Sequence, residues 1–309
     1  MTTFDEVEEA RRDPKHANIV YHDWEAETYN DKWSISFDQR CIDYALGRFE
    51  LAVGGEAGHY GTALELGSGP GFFLLNLMQA GVASEGIVTD ISPKMVEVAT
   101  RNGHQLGLDV EGRVADAETI PCDDNSVDLV VGHAVLHHIP DVTKALSEVL
   151  RVLRPGGRFV FAGEPTTVGD FYARRLGALT WWLTTNVTRL PGLRDWRRPQ
   201  VELDESSAAA ALEAVVDLHT FVPSELARLA QRIGAIEVSA PSEELTAAFL
   251  GWPVRTFEAA VAPEKLGMRW ATFAGGAWKM LSKVDTQLYK VLPRDIFYNT
   301  LLTGRKCGD

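Results

Sequence analysis

Residues 62–90 read TALELGSGPGFFLLNLMQAGVASEGIVTD, and this stretch decides the fold. An apolar run, a Gly-Ser-Gly-Pro-Gly loop at 67–71 and an apolar, helix-like segment at 72–80 follow one another. A second short apolar strand then leads into Asp90. This order of strand, glycine-rich loop, helix, strand and acid is typical of a nucleotide-binding βαβ unit.

The residue types in this stretch each have a physical role. Gly67 and Gly69 let the backbone turn tightly and approach a ligand closely, and Gly71 lets the following helix lie against the sheet. Backbone N–H groups at the start of that helix favour a negatively charged group. Asp90, at the end of the second strand, is placed to accept both hydroxyls of a ribose. Glu65 is unusual in a buried strand and requires a functional reason.

The spacing of the loop separates two cofactor classes. A glycine-rich loop alone can be no more than a tight turn, but a dinucleotide fingerprint would place its third glycine at 72, where this chain has Phe72. The pattern Glu-x-Gly-x-Gly-x-Gly followed by a distant Asp resembles the class I S-adenosylmethionine-dependent methyltransferases. That resemblance implies S-adenosylmethionine as the cofactor, with its methionine end at the loop and its ribose at Asp90.

Further segments match the same family in order. Ser92-Pro93 starts a helix, residues 112–116 form a strand ending on Asp116, and the apolar strand at 127–131 runs into GHAVLHHIPD. The family places an acid at Asp116 to bind the adenine amino group. The sequence LRPGGRFV is a further family signature, a tight turn at 154–157 before a strand. We therefore expect the cofactor to be bound by Glu65, Gly67, Ser68, Gly69, Gly71, Phe72, Asp90, Ile91, Met95, Asp116, Ala117 and His133.

The fold class predicted from these segments is α/β, a Rossmann-like, doubly wound, seven-stranded and mostly parallel sheet with helical cap insertions. The last strand, within 296–306, is expected to run antiparallel between strands five and six, as in the family. The predicted organisation is an N-terminal helical lid at 1–58, a core at 59–164, a helical cap insertion at 165–219, core again at 220–240, a second cap insertion at 241–295 and the terminal strand at 296–309.

Composition narrows the class of partner. The chain has 309 residues and a formal net charge of −13, which argues against nucleic acid as a partner because such binding depends on Lys and Arg at phosphates. Cys41, Cys122 and Cys307 have no metal-ligand or redox spacing, so no metal site is expected and a reducing cytoplasm fits. The first residues lack the apolar core of a signal peptide.

The N-terminal segment is expected to form helices over the front of the core. A charged helical run at 5–12 is predicted to end at Pro14, and a packing helix is predicted at 38–51. Between them, Tyr21 and Tyr29 lie among acidic and aromatic residues. Small-molecule methyltransferases of this class often use such an aromatic segment as a lid.

Six of the eight Trp residues lie after residue 164, in the two insertions. These Trp residues could line an apolar substrate pocket in a cap over the carboxyl edge of the sheet, or fill the insertions' own small cores. The uncharged run at 176–188 is too short to span a bilayer and reads as a cap helix or an interfacial helix with Arg at its ends. Residues 202–207 read as a solvated linker.

The predicted function is methyl transfer from S-adenosylmethionine to a small, apolar or lipid-like acceptor, with transient contact to a membrane surface left open. The resemblance is greatest to the ubiquinone/menaquinone-biosynthesis-like group. His137 is the expected catalytic base, with Tyr21 or Tyr29 beside it, because the Val-Leu-His run resembles phosphoethanolamine methyltransferases. The alternatives are an NAD(P)-dependent oxidoreductase and a non-catalytic S-adenosylmethionine-binding protein. The acceptor, the methylated atom and the oligomeric state stay open.

Overall fold

The secondary structure alternates strands and helices in its first half and is mainly helical afterwards. A computed structural model describes residues 13–26, 29 and 35–308. The strands are β1 Tyr60–Leu66, β2 Ala83–Asp90, β3 Asp109–Val114, β4 Val127–His133, β5 Leu153–Pro165, β6 Ile236–Ser239, β7 Ser242–Glu243 and β8 Asn299–Arg305. The helices are α1 Pro14–Glu25, α2 Gln39–Val53, α3 Phe72–Gln79, α4 Pro93–Gln105, α5 Val142–Val152, α6 Thr167–Val187, α7 Gln200–Val216, α8 Pro223–Arg232, α9 Thr246–Ala260 and α10 Met268–Leu288.

The sheet has eight strands, seven of them in the order β3-β2-β1-β4-β5-β8-β6, and the short β7 pairs with β8. The pairs β3–β2, β2–β1, β1–β4 and β4–β5 are parallel, and β8 is antiparallel to β6. The predicted doubly wound sheet with an antiparallel last strand between strands five and six is confirmed. The strand order reverses between β1 and β4, and ligands of open α/β sheets bind at the carboxyl ends of the strands beside such a point.

Both faces of the central strands are buried. In β1, Leu64 and Leu66 belong to one apolar cluster, and Ala63 belongs to a second cluster that includes Phe73 and Leu129. Successive residues of a strand point to opposite faces, so each face has its own core. Because both faces are packed, the position of each strand in the sheet is fixed, and so is the position of the loops that follow β1, β2 and β4.

The chain divides into two compact units. The sheet unit comprises, of the described residues, those up to Glu164, Val215–Pro241 and those from Thr300 onward. The helical unit comprises Pro165–Ala214 and Ser242–Asn299. Within the helical unit, α9 packs against both α6 and α10. The buried Asp285 of α10 accepts hydrogen bonds from the N–H groups of Leu245, Thr246 and Ala247, which satisfies the N-terminus of α9.

Local start signals read from the sequence hold at three helices. Asp38, Ser92 and Asp141 each accept a backbone hydrogen bond at the start of α2, α4 and α5, respectively. The predicted helix at 5–12 lies outside the described residues. Pro14, which is predicted to end that helix, is the first residue of α1, and α1 is capped by Asp13. Proline suits the first turn of a helix because its missing N–H would have no partner there.

Three further boundaries differ from the prediction. Residues 202–207 are not a linker but part of α7, where Leu203 is buried and Gln200 donates to Asp204 one turn on. The charged residues there lie along a helix rather than in solvated coil. The strand predicted to end on Asp116 ends at Val114, so Asp116 lies in the loop after β3. The turn at 154–157 is a bulge inside β5, since Val127 pairs with Leu153 and Leu129 with Arg158.

Candidate cofactor site

The loop between β1 and α3 needs glycine at three positions because Gly67, Gly69 and Gly71 all have positive φ, at 60°, 49° and 87°. Among the described residues, a Cβ on Gly69 would meet only the Tyr29 ring, at 3.9 Å, which leaves room for a ligand beside this backbone. A Cβ on Gly67 would overlap Val135. Gly67 therefore also allows close packing between two loops.

Glu65 has an unsatisfied oxygen at this site. Its side chain is 1% exposed and lines the pocket, and Oε1 accepts from the N–H of Phe73 at 3.2 Å. Within the described part of the chain, Oε2 has no hydrogen-bond partner. Burial, with a contribution from the charge of Asp90, raises the pKa of Glu65 to about 8. A buried acceptor without a donor is costly, so this oxygen is suited to a donor from a ligand.

Asp90 fixes the glycine loop and still faces the pocket. Its Oδ2 accepts from the N–H of Gly69 and its Oδ1 from the N–H of Ser92, both at 2.9 Å. Burial raises the pKa of Asp90, although His22 and these N–H groups act in the opposite direction. A carboxylate oxygen can accept more than one hydrogen bond, so both oxygens can also receive ribose hydroxyls.

Asp116 is held at the pocket wall by a lysine from the N-terminal helix. Lys15 Nζ lies 2.6 Å from Asp116 Oδ2 and 2.9 Å from Glu118 Oε2. Burial acts to raise the pKa of Asp116, but the hydrogen bond from Lys15 and the N–H of Glu118 outweigh it and lower the pKa. Asp116 is therefore an ionised acceptor at neutral pH, in line with the adenine contact expected of it.

One face of α1 supplies three pocket residues that sequence reasoning missed. Lys15, Asn18 and His22 all line the pocket and are spaced three and four residues apart. This helical spacing could have identified the three residues from the sequence. The prediction relied instead on the aromatic residues Tyr21 and Tyr29. Asn18 Nδ2 donates to the Pro14 carbonyl at 3.0 Å.

The structure brings most of the predicted residues to one pocket in the sheet unit. Those that line it are Glu65, Gly67, Ser68, Gly69, Phe72, Asp90, Ile91, Asp116, Ala117, His133 and Tyr29. The remaining predicted residues, which do not line it, are Gly71, Met95, Tyr21 and His137. Met95 packs in a buried cluster with Ala26, Val98 and Tyr29, and Tyr21 is 3% exposed.

Two histidines of the pocket are uncharged at neutral pH. Burial lowers the pKa of His133 to about 4, and burial together with the neighbouring His137 and His22 lowers the pKa of His138 well below its usual value. His133 packs against the rings of Phe72 and Phe73. The pocket wall after β4 is thus aromatic and neutral.

His137 is oriented by a buried carboxylate that the sequence did not reveal. Glu164 accepts from the N–H groups of Val135 and Leu136 at 2.9 Å and from His137 N at 3.1 Å. It also lies 2.8 Å from His137 Nδ1. Burial alone would raise the pKa of Glu164, but the contacts with His137 and these N–H groups lower it. An ionised carboxylate can only accept, so Nδ1 of His137 carries a proton.

Asp217 completes this cluster. Its Oδ1 lies 3.8 Å from His137 Nε2 and 3.6 Å from His138 Nδ1. The ligand atoms of the three residues lie within 4.8 Å of one another, a spacing that a metal ion can bridge. His138 Nδ1, however, is 3.0 Å from the Val216 carbonyl oxygen, which can only accept, so this nitrogen carries a proton. The donor set therefore fits proton handling better than metal binding.

Comparisons with known proteins match the part of the chain that supplies most of the pocket. The family described as "Methyltransferase domain" matches residues 64–161. The chain is 34% identical to the malonyl-[acyl-carrier protein] O-methyltransferase of Methylococcus capsulatus over 46% of this chain and 55% of that protein. It is 36% identical to the demethylmenaquinone methyltransferase of Thermus thermophilus over 42% of this chain and 55% of that protein. The chain thus matches only about half the length of these two curated relatives.

Solved structures share the fold at low identity. Phosphoethanolamine N-methyltransferase 2 of Haemonchus contortus, in complex with phosphomonomethylethanolamine and S-adenosylhomocysteine, has a TM-score of 0.51 at 17% identity, covering 86% of this chain and 52% of that one. A [4+2]-cyclase has a TM-score of 0.50 at 18% identity, covering 87% and 81%. Since two different activities occur at the same structural distance, this likeness shows the fold alone.

Proposed function

We propose that the chain is a class I S-adenosylmethionine-dependent methyltransferase of the ubiquinone/menaquinone-biosynthesis group, which uses S-adenosylmethionine to methylate a small, apolar or lipid-like acceptor. The observation that carries this proposal is the pocket with Glu65, Asp90 and Asp116 along its wall. The three carboxyl groups suit, in turn, an ammonium, a pair of ribose hydroxyls and an adenine amino group.

The chain's own residues fit this cofactor. Glu65 Oε2 is a buried acceptor without a partner among the described residues, and Gly69 leaves its side of the loop open. When bound, S-adenosylmethionine supplies a methyl group already activated by a positive sulfonium. The neutral imidazoles of His133 and His138 suit that neighbour, because a charged imidazolium in the same pocket would repel the sulfonium.

For a hydroxyl acceptor we assign proton removal to His137. Glu164 holds its Nδ1–H, so Nε2 is the atom that takes the proton which the acceptor loses. The carboxylates of Glu164 and Asp217, 2.8 and 3.8 Å from the ring nitrogens, stabilise the imidazolium that forms. Tyr29, which lines the pocket, is the partner we favour over the buried Tyr21.

The acceptor class is inferred from the curated relatives and from the pocket wall. Their names specify a demethylmenaquinone and a malonyl-acyl carrier protein. In this chain, Ile35, Phe72 and Ile139 line the pocket beside the histidines. We include a reducing, cytoplasmic setting in the proposal because Cys41, Cys122 and Cys307 are all free thiols.

Two measurements test the proposal. Calorimetry should show micromolar-scale binding of S-adenosylhomocysteine and none of NADH, and Asp90→Ala serves as the matched negative control. Tight NADH binding with no response to S-adenosylhomocysteine would contradict the cofactor assignment.

Radiolabelled S-adenosylmethionine is then incubated with quinols, catechols, acyl thioesters and simple amines. Binding without label transfer to any of them would favour the non-catalytic alternative.

A further inference from the structure

Helix α6 of the helical unit exposes large apolar side chains. Trp182 is 61% exposed, Phe171 57% and Leu179 53%. Large side chains of this kind are normally buried, and single exceptions need no explanation. The exposed set on α6 is larger: Val168, Phe171, Leu179 and Trp182, which we call the α6 stripe, are joined by the exposed Leu183 and Val187 near the end of the helix.

The α6 stripe lies on one side of the helix. Val168, Phe171, Leu179 and Trp182 recur at three- and eight-residue separations, which a 3.6-residue period brings to the same face. The opposite face already has its packing, because Gly169, Ala173 and Thr184 are buried there. The stripe is therefore a second apolar surface and not the face that α6 turns to its own core.

The charges around the stripe are net positive. Residues 170–195 contain Arg174, Arg175, Arg189 and Arg194 against Asp170 and Asp195. Arg174 is paired with Asp170, whereas the Arg175 guanidinium lies over the Phe171 ring at 3.5 Å. The whole chain, by contrast, has a net charge of −13. A negatively charged partner would thus meet attraction at this helix and repulsion from the chain as a whole.

We propose that the α6 stripe docks on the surface of an anionic phospholipid bilayer, with α6 lying in the interface. An apolar face carrying Trp and Phe and bordered by arginines matches the chemistry of interfacial helices. No helix among the described residues is long and apolar enough to cross a membrane. The proposal goes beyond methyl transfer and does not depend on it.

A second copy of the chain fits the stripe less well. A two-fold interface would set the same patch against itself. With two antiparallel α6 helices, Arg175 of one copy would approach Arg189 of the other, while Asp170 of each copy is already paired with Arg174. Lipid phosphates would instead neutralise Arg175 and Arg189 directly.

The test is sedimentation of the full chain with vesicles. We expect binding to vesicles of equal parts phosphatidylcholine and phosphatidylglycerol, and roughly tenfold weaker binding to phosphatidylcholine alone. Leu179→Ser with Trp182→Ser should abolish sedimentation with both. Arg175→Glu with Arg189→Glu should remove the preference for phosphatidylglycerol.

Matched controls lie in the sheet unit. Leu51→Ser, at an exposed apolar residue, and Arg228→Glu with Arg232→Glu, at exposed positions of α8, should sediment like the parent chain. S-adenosylhomocysteine affinity and thermal melting, measured on every variant, separate loss of folding or of the cofactor site from loss of docking. Failure of the parent chain to sediment, or equal loss in the controls, would overturn the proposal. So would a dimer in analytical ultracentrifugation that the Leu179 and Trp182 changes dissolve.

Discussion

Glu65→Gln replaces a buried carboxyl group that, among the described residues, accepts a hydrogen bond through only one of its two oxygens. The buried carboxyl has a pKa of about 8 in the folded chain, against an ordinary value of 4.5. A group whose pKa is raised by folding contributes stability below its ordinary pKa and loses it as pH rises through the folded value. The parent chain without cofactor should therefore become less stable from about pH 4.5 to pH 8, and Glu65→Gln should remove that part of the slope.

The protonation state of Glu65 should also control the affinity for S-adenosylhomocysteine. A cationic ammonium is bound by the ionised carboxylate, which with a pKa of about 8 makes up roughly 1% of Glu65 at pH 6 and half at pH 8. If only the ionised form binds, affinity for S-adenosylhomocysteine should rise by up to ~50-fold over those two pH units. Binding should also release a proton below pH 8, because the ammonium lowers the pKa of Glu65.

Calorimetry of S-adenosylhomocysteine binding at pH 6, 7 and 8, in buffers of different ionisation enthalpy, measures both quantities. Glu65→Gln is nearly isosteric and should give a flatter pH dependence and less proton release. Asp90, whose pKa burial also raises, is present in both proteins, so only the difference between them is assigned to Glu65. An unchanged pH slope in Glu65→Gln would refute the pairing of Glu65 with the ammonium.

Three further changes test the rest of the site. Asp90→Ala should weaken S-adenosylhomocysteine binding by about 10- to 100-fold in calorimetry, because a charge-assisted acceptor and the support of the Gly69 N–H are lost together. Gly69→Val should abolish binding, since its φ of 49° is strained for valine and its side chain would enter open space at the loop, while thermal melting shows whether the fold persists. His137→Ala should lower turnover by roughly 100- to 10,000-fold in the labelled-methyl assay with cofactor affinity intact, and full activity would leave alignment of the reactants as the source of catalysis.

The fold was largely readable from the sequence because its signals are local. The glycine loop, the acid after β2 and the caps Ser92 and Asp141 act within a few residues of where they stand. The prediction of a linker at 202–207 failed because the acidic residues there suit a linker and an exposed helix face equally well.

The site was readable where residues are close in the chain and unreadable where they are not. Glu65, Gly69 and Asp90 belong to one βαβ unit, so their meeting follows from the motif. Lys15 reaches Asp116 across 101 residues, and Asp217 reaches His137 across 80, which no spacing rule indicates. The expected cap formed by 165–219 and 241–295 stays a prediction.

Three buried carboxyl groups at the ends of the strands behave differently because the protein supplies them with different numbers of donors. Glu164 receives three backbone N–H bonds and the His137 ring, and its pKa is lowered despite complete burial. Asp90 receives two backbone bonds, and Glu65 one, and burial raises the pKa of both. Hydrogen bonds to the charged form oppose desolvation, so the carboxyl group with the most donors, Glu164, is the one whose pKa is lowered. We infer that Glu164, whose oxygens are bonded by the chain, orients His137, while Glu65, with one oxygen unbonded, can respond to a ligand.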